Sequence, residues 1–432
     1  MLAAVPVIVA LASATDPAAG HWPVLTAQLE AWTGVTDFSM TVGNASARLF
    51  TFERGDAAKG GKLDHKILMA SASKFPAATA IAGAVADGHL TFDTKASAVF
   101  PWWSSDAADP RSGVTLRTLL SFTSGFYWYD ADGSSAVACL TPPASLLIKP
   151  EKCAEEIYKK APFPFAAGST FSYNSFHLQL AGAMAAKAAG LTVVELLDKY
   201  LIKKLGMTDT SWLVGQNPML AAGMQTTGND YDKFLRAYLS YEHLPKAVAD
   251  EMERDYCSAP YATAVANSSA GLVGYLGHYS MCNWYECLEN FDQDDDWHNA
   301  TFPPACKDAR IHMDAGLFGY YPLVDRPRGY YMQVVQSQVV PLTNLNVTQT
   351  AIDLRVAAKP TVDWCAGKGP KPPTFEASPE AVARAARLRA HGGAYAGTLH
   401  NAAARGADAG GIPAAVLRAA RALEEQQQQQ QQ

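Results

Sequence analysis

An apolar run, Ile67-Leu68-Met69-Ala70, breaks on Ser71, and Lys74 follows three residues later. An alanine-rich stretch from Ala77 to Asp87 comes next and closes on Gly88. No other part of the chain constrains the fold as much. The order predicts a buried strand or short connection feeding a helix whose first turn holds Ser71 and Lys74. Positions i and i+3 share a helix face, with Cβ atoms about 5–6 Å apart, so the amine can reach the hydroxyl. Free backbone N–H groups at the helix start favour negative charge developing beside that hydroxyl. The same spacing also describes an N-cap serine followed by a surface lysine. The rest of the chain has to decide between the two.

With 49% apolar and 18% charged residues over 432 positions, the chain can bury a large core, as one large domain or two smaller ones. A net charge of −6 leaves no basic footprint, so no nucleic-acid partner is expected. The opening apolar run closes on Ala12-Ser13-Ala14 and resembles a secretory signal peptide, so residues 1–20 read as a leader. It is too short to span a bilayer comfortably, and no other stretch of eighteen apolar residues exists, so no membrane span is expected. Glycosylation sequons begin at Asn44, Asn267, Asn299 and Asn346, and seven cysteines stand at 139, 153, 257, 282, 287, 306 and 365. Both features suit a secreted glycoprotein or a secretory lumen. Cys139 with Cys153, and Cys287 with Cys306, would each close a short loop, and the odd count leaves at least one cysteine unpaired or bridging elsewhere. The spacing of Cys282 and Cys287 matches no zinc ribbon, and no metal is expected there.

Along the chain, residues 21–33 place Trp22, Leu25, Leu29 and Trp32 on one helix face. Segments 38–42 and 47–54 alternate around Gly43-Asn44, which reads as a hairpin. From about 88 to 260 the pattern is helical and loop-rich, with helices expected at 114–120, 178–189, 192–201 and 229–241. The aromatic run Phe126-Tyr127-Trp128-Tyr129 reads as core packing ahead of a substrate-facing wall. Strand character returns in 271–285, 316–324 and 330–340. Asp292, Asp294 and Asp296 open like a calcium loop. However, Trp297 holds the glycine position and Pro303 the closing glutamate position, so a solvated loop is expected. Residues 361–432 form a Gly/Pro/Lys linker, two Ala/Arg-rich segments that could be short helices (379–391 and 413–424) and a run of glutamines, a tail to which no chemistry is assigned.

Several phrases stand in a telling order. Ser71-x-x-Lys74 is followed by Leu119-Leu-Ser-Phe-Thr-Ser-Gly125, by Gly168-x-x-Phe-x-Tyr173 and by Leu205-Gly-Met-Thr-Asp-Thr. Between and after them lie Pro164-Phe-Ala-Ala-Gly-Ser-Thr-Phe-Ser-Tyr and Ala222-Gly-Met-Gln-Thr-Thr-Gly-Asn-Asp-Tyr. Across roughly residues 22–345 the chain thus resembles the serine β-lactamase-related family of class C β-lactamases, DD-peptidases and related esterases. The resemblance implies an α+β, β-lactamase/transpeptidase-like fold over residues 21–360. A mostly antiparallel sheet would be flanked by helices, with the helical region inserted. It also implies a two-step acyl transfer on a small-molecule or peptide-like substrate, without a cofactor. Ser71 would attack the carbonyl, Lys74 would help remove its proton, and Tyr173 would pass a proton to the leaving group. The oxyanion would meet the Ser71 backbone N–H and one from an edge strand.

Two stretches depart from that family. Its second motif is Tyr-x-Asn, whereas this chain has Tyr173-Asn174-Ser175. Either Ser175 fills the asparagine position or Asn174 reaches over from the adjacent one. Its third motif is a basic residue, any residue, then glycine, and His312-Met-Asp314-Ala315-Gly316 is the best candidate. There Asp314 stands where glycine would let an edge strand approach the substrate. On this reading Asp314 crowds the cleft and disfavours an anionic substrate carboxylate, which turns the expectation toward neutral esters or amides. The competing reading, from another class, is a secreted glycoprotein that keeps the fold, has lost turnover and serves as a binding module. The oligomeric state is left open.

Overall fold

The computed structural model describes residues 21–127, 137, 139–140, 147–213, 215–266, 269, 277–286, 310–338 and 346–372. The leader, the calcium-like loop, Cys287 and Cys306, the sequons at Asn267 and Asn299, and the tail helices lie outside them. Eleven strands are present among the described residues: β1 (Phe38–Asn44), β2 (Arg48–Arg54), β3 (Ile67–Leu68), β4 (Thr170–Phe171), β5 (Ser211–Trp212), β6 (Met224–Thr226), β7 (Ala264–Val265), β8 (Trp284–Tyr285), β9 (Ile311–Met313), β10 (Tyr321–Asp325) and β11 (Tyr330–Val335). Six of them form one sheet in the order β2-β1-β11-β10-β9-β8, antiparallel wherever two strands pair. The N-terminal hairpin is thereby joined to the C-terminal strands through β1 and β11, in register from Ser39 opposite Val335 to Asn44 opposite Tyr330.

The hairpin turn falls one step later than the sequence pattern suggests. Gly43 belongs to β1, and a Cβ there would lie 2.3 Å from the Tyr331 hydroxyl, so this glycine admits a neighbouring ring. The turn is made instead by Asn44, whose Oδ1 accepts the Ser46 and Ala47 N–H groups. Alternation along β11 points Gln333 at the Gly228–Leu239 helix and Tyr330 at the Asn346–Cys365 helix, which therefore lie on opposite faces of the sheet. The Trp22–Glu30 helix packs beside the latter.

The α+β expectation holds, and so does an inserted helical region. Its centre is the Lys74–Ala86 helix, buried from Lys74 to Ala84. Small alanines all round let neighbouring helices approach closely, Ser175–Ala188 among them. That neighbour starts three residues earlier than expected because Asn174 caps it, with Oδ1 accepting the Phe176 N–H at 3.1 Å. The 192–201 segment is helical over Val193–Leu197 and then widens into a looser turn over Asp198–Ile202. Among the described residues, strand structure shrinks to β8 within 271–285 and begins only at Tyr321 in the 316–324 segment. Phe126 packs in the core against Trp103 and Phe163, as its run suggested.

The Asn346–Cys365 helix has no counterpart in the sequence expectations. Its inner face is charged: Arg355 pairs with Glu286, and Lys359 pairs with Asp325 (3.0 Å), all four buried, and with the partly buried Asp363 (3.1 Å). Cys139 and Cys153 form the expected disulfide, whereas Cys257, Cys282 and Cys365 are unpaired and buried. Among the described residues no helix is long and apolar enough to cross a membrane.

Candidate active site

Ile67 and Leu68 form the short strand β3, paired with β6, and the chain then turns sharply into the helix. Ala70, just before Ser71, sits in the left-handed region at φ 47°, which a residue with a Cβ adopts only when its surroundings hold it there. The holding contacts are specific. Ser73 Oγ donates to the Ala70 carbonyl at 2.6 Å and accepts the Met224 N–H at 3.0 Å, and the Tyr231 hydroxyl donates to the Ala72 carbonyl at 2.9 Å. Ser71 falls in a tight 3₁₀ turn over Ala70–Ser73, and Lys74 opens the α-helix proper.

Lys74 Nζ lies 2.9 Å from Ser71 Oγ and 2.8 Å from the Ala221 carbonyl oxygen. It also lies 4.7 Å from the centre of the Tyr173 ring. The surface-lysine reading of the motif is thereby excluded: Lys74 is 1% exposed and Ser71 6%. Burial disfavours the ammonium and pulls Lys74 down from 10.5 to about 8, with Asp314 acting in the opposite direction. An amine there can be neutral near physiological pH and can accept the serine proton. The Tyr173 backbone N–H donates to Ser269 Oγ at 2.8 Å, and its ring is held among Phe122, Trp284 and Tyr279, at 5.4–5.9 Å between ring centres.

The second-motif alternatives separate. The Asn174 side chain is committed to its own loop: besides the cap, its Nδ2 donates to the Phe126 and Ser172 carbonyls at 3.1 and 3.2 Å. Ser175 is buried at the first position of the helix. His177 joins the Ser124 hydroxyl and the Ser172 carbonyl, both at 2.8 Å, and burial pushes it down to about 3, so it stays neutral and structural.

The third-motif expectations need two corrections. His312 does not face a cleft. It is fully buried, its Nδ1–H donates to Asn283 Oδ1 at 2.7 Å, and its Nε2 lies 3.7 Å from Glu253. Burial pushes it down to about 4, so it carries no charge near neutrality. Asp314 does not crowd the substrate side either. Its Oδ2 accepts the Phe75 N–H at 2.9 Å, at the root of the helix that carries Lys74. Ala315 is 7% exposed, and Gly316 backs directly onto the nucleophile turn: a Cβ there would lie 2.3 Å from the Met69 carbonyl oxygen. Sequence reasoning missed the Ala221 carbonyl, Cys282 and Tyr279. Backbone groups and apolar-pattern residues carry no signal of nearness to a distant motif. No group of three or more metal-ligating side chains occurs among the described residues.

Comparison with known proteins gives the family and the fold. The family model described as Beta-lactamase matches residues 46–286, more than half of the chain. The chain belongs to the Beta-lactamase family. Members of this family are serine hydrolases, and the matched span contains Ser71, Lys74 and Tyr173 but ends before His312. A putative beta-lactamase from Bacteroides dorei DSM 17855 superposes with a TM-score of 0.56 at 24% identity, covering 73% of this chain and 91% of that one. The beta-lactamase/D-alanine carboxypeptidase from Yersinia pestis gives 0.58 at 16% identity, covering 79% and 99%. A D-stereospecific amidohydrolase from Streptomyces sp. gives 0.50 at 20% identity, covering 74% and 94%. At these identities the likeness shows the fold alone. No curated protein matches the chain.

Proposed function

We propose that this Beta-lactamase family member is a serine hydrolase that works through an acyl-enzyme on an ester, amide or lactam carbonyl. The observation that carries the reading is Lys74 Nζ held 2.9 Å from Ser71 Oγ beside the Tyr173 ring. Neutral Lys74 takes the Ser71 proton as Oγ bonds to the carbonyl carbon. The oxyanion that forms is met by the Ser71 N–H and a backbone N–H of the hairpin between β9 and β10. Collapse breaks the bond to the leaving group, which takes a proton through Tyr173. Water then attacks the acyl-enzyme, and its proton returns by the same groups.

Neutral esters and amides are favoured over substrates bearing a carboxylate. The reason is not crowding by Asp314 but the state of His312, which is buried and uncharged beside Glu253 and so offers no cation to a substrate anion. Turnover of a chromogenic cephalosporin on a par with that of a simple ester would count against this preference. Secretion, or residence in a secretory lumen, is supported by the Cys139–Cys153 disulfide and is tested by N-terminal sequencing of the mature protein.

A fluorophosphonate or fluorescent penicillin probe tests the hydrolase reading. Wild type is expected to be labelled and Ser71→Ala is not; labelling that persists in the alanine variant removes Ser71 from the mechanism. A second reading, a binding module without turnover, is favoured by one observation: Asn174 and His312 serve the fold. It predicts no labelling of wild type at all.

A further inference from the structure

The helix that carries Lys74 has no side-chain cap from its own N-cap residue. Ser73, at the N-cap position, makes no side-chain cap hydrogen bond; its hydroxyl bonds back to Ala70. The acceptor comes from the hairpin between β9 and β10, where Asp314 takes the Phe75 N–H 239 residues away in sequence. A carboxylate at a helix N-terminus is well placed electrostatically, yet this one is entirely buried, and its Oδ1 has no hydrogen-bond partner. Such an oxygen needs a charge or a proton nearby.

The groups packed around the pair narrow the choice. Lys74 faces Ser71 from its own turn, the Ala221 carbonyl, the Tyr173 ring and, electrostatically, Asp314 and Cys282. Asp314 faces Lys74, Tyr231 from the Gly228–Leu239 helix, and Tyr279 and Cys282 from the segment before β8. Burial holds Tyr231, Tyr279 and Cys282 far above their ordinary values, so all three stay protonated and uncharged. Only Lys74 and Asp314 are left to exchange charge.

We propose that Asp314 is a positioning residue whose buried carboxylate, fixed on the Phe75 N–H at the root of the helix, holds a proton on Lys74, so that Ser71 is activated only when that proton leaves. The inference rests on the hydrolase reading above and adds a regulator to the same site. Removing that proton leaves a buried negative charge in the wild type but none when residue 314 is uncharged. The neutral variant should therefore release it more readily, and work at lower pH.

The test is the rate of fluorophosphonate labelling of Ser71 against pH. Asp314→Asn can still accept the Phe75 N–H, and its acid limb is expected to move down by about one pH unit or more. Asp314→Ser is a second uncharged variant, should the asparagine one fail to fold. Asp314→Glu keeps the charge and should keep the wild-type limb. An acid limb unmoved in a folded uncharged variant overturns the role of Asp314 and leaves the hydrolase reading standing. Absence of labelling in wild type at every pH overturns both.

Discussion

Lys74 joins the sequence motif to the chemistry. Ordinarily 10.5, it is brought to about 8 by burial, which corresponds to roughly 3 kcal/mol of disfavoured ammonium. Since the neutral amine is the working form, acylation should rise as pH passes through about 8 and fall about tenfold per unit below it. Rates of Ser71 labelling across pH 6–10 check this. Lys74→Arg keeps a cation but cannot deprotonate, so labelling is expected to drop by at least about 10²-fold even at high pH. Ser71, Lys74 and Tyr173 were readable because each falls in a phrase of fixed spacing. Asp314 was readable as a departure but not as a direction. One residue in a three-residue strand-to-turn exit can aim at the cleft or at the helix behind it, and only the packed Lys74–Ala86 helix decides.

Between elements, the decisive contact is the β9–β10 hairpin lying on the nucleophile turn. Gly316 is required there not for its dihedral angles but for space, since any side chain meets the Met69 carbonyl. Gly316→Ala should destabilise the protein by about 1–3 kcal/mol. Because the strained Ala70 turn would shift with Met69, labelling of Ser71 should fall out of proportion to the loss of stability. Thermal melts measured beside labelling rates separate the two effects, and a variant of wild-type rate would refute the coupling. The hairpin at 38–54 and the helices at 116–120 and 228–239 were legible from periodicity. The turn residue was not, because Gly43 reads as a turn signal until Tyr331 is seen against it.

At the scale of the molecule, the Asn346–Cys365 helix shows where pattern reading fails. Its buried face carries Arg355 and Lys359 in ion pairs, and Pro360 lies inside it, so neither apolar periodicity nor helix propensity reveals it. Lys359→Ala would leave buried Asp325 with only the partly exposed Arg328, 3.1 Å away, as its cation, and should destabilise in denaturant titration by less than the roughly 3–5 kcal/mol of a wholly unpaired buried charge. Acid stability follows from the buried histidines. His177 and His243 are pushed to about 3 and His312 to about 4, whereas the unfolded chain takes up their protons near 6.5. The unfolded state therefore binds more protons as pH falls from 6.5 toward 4. Stability should drop by up to about 1.4 kcal/mol per pH unit for each of the three histidines. Melts between pH 7 and pH 4 measure it, and His177→Gln should flatten the slope.

Joining β1 to β11 also sets a timetable for biosynthesis. A nascent chain emerging from the ribosome exposes the inner edge of its first hairpin, and that edge finds its mate only after nearly 300 more residues have been translated. Until then the ribbon is an open template for whatever strand drifts past, so assembly of this protein should be slow, late and dependent on chaperones.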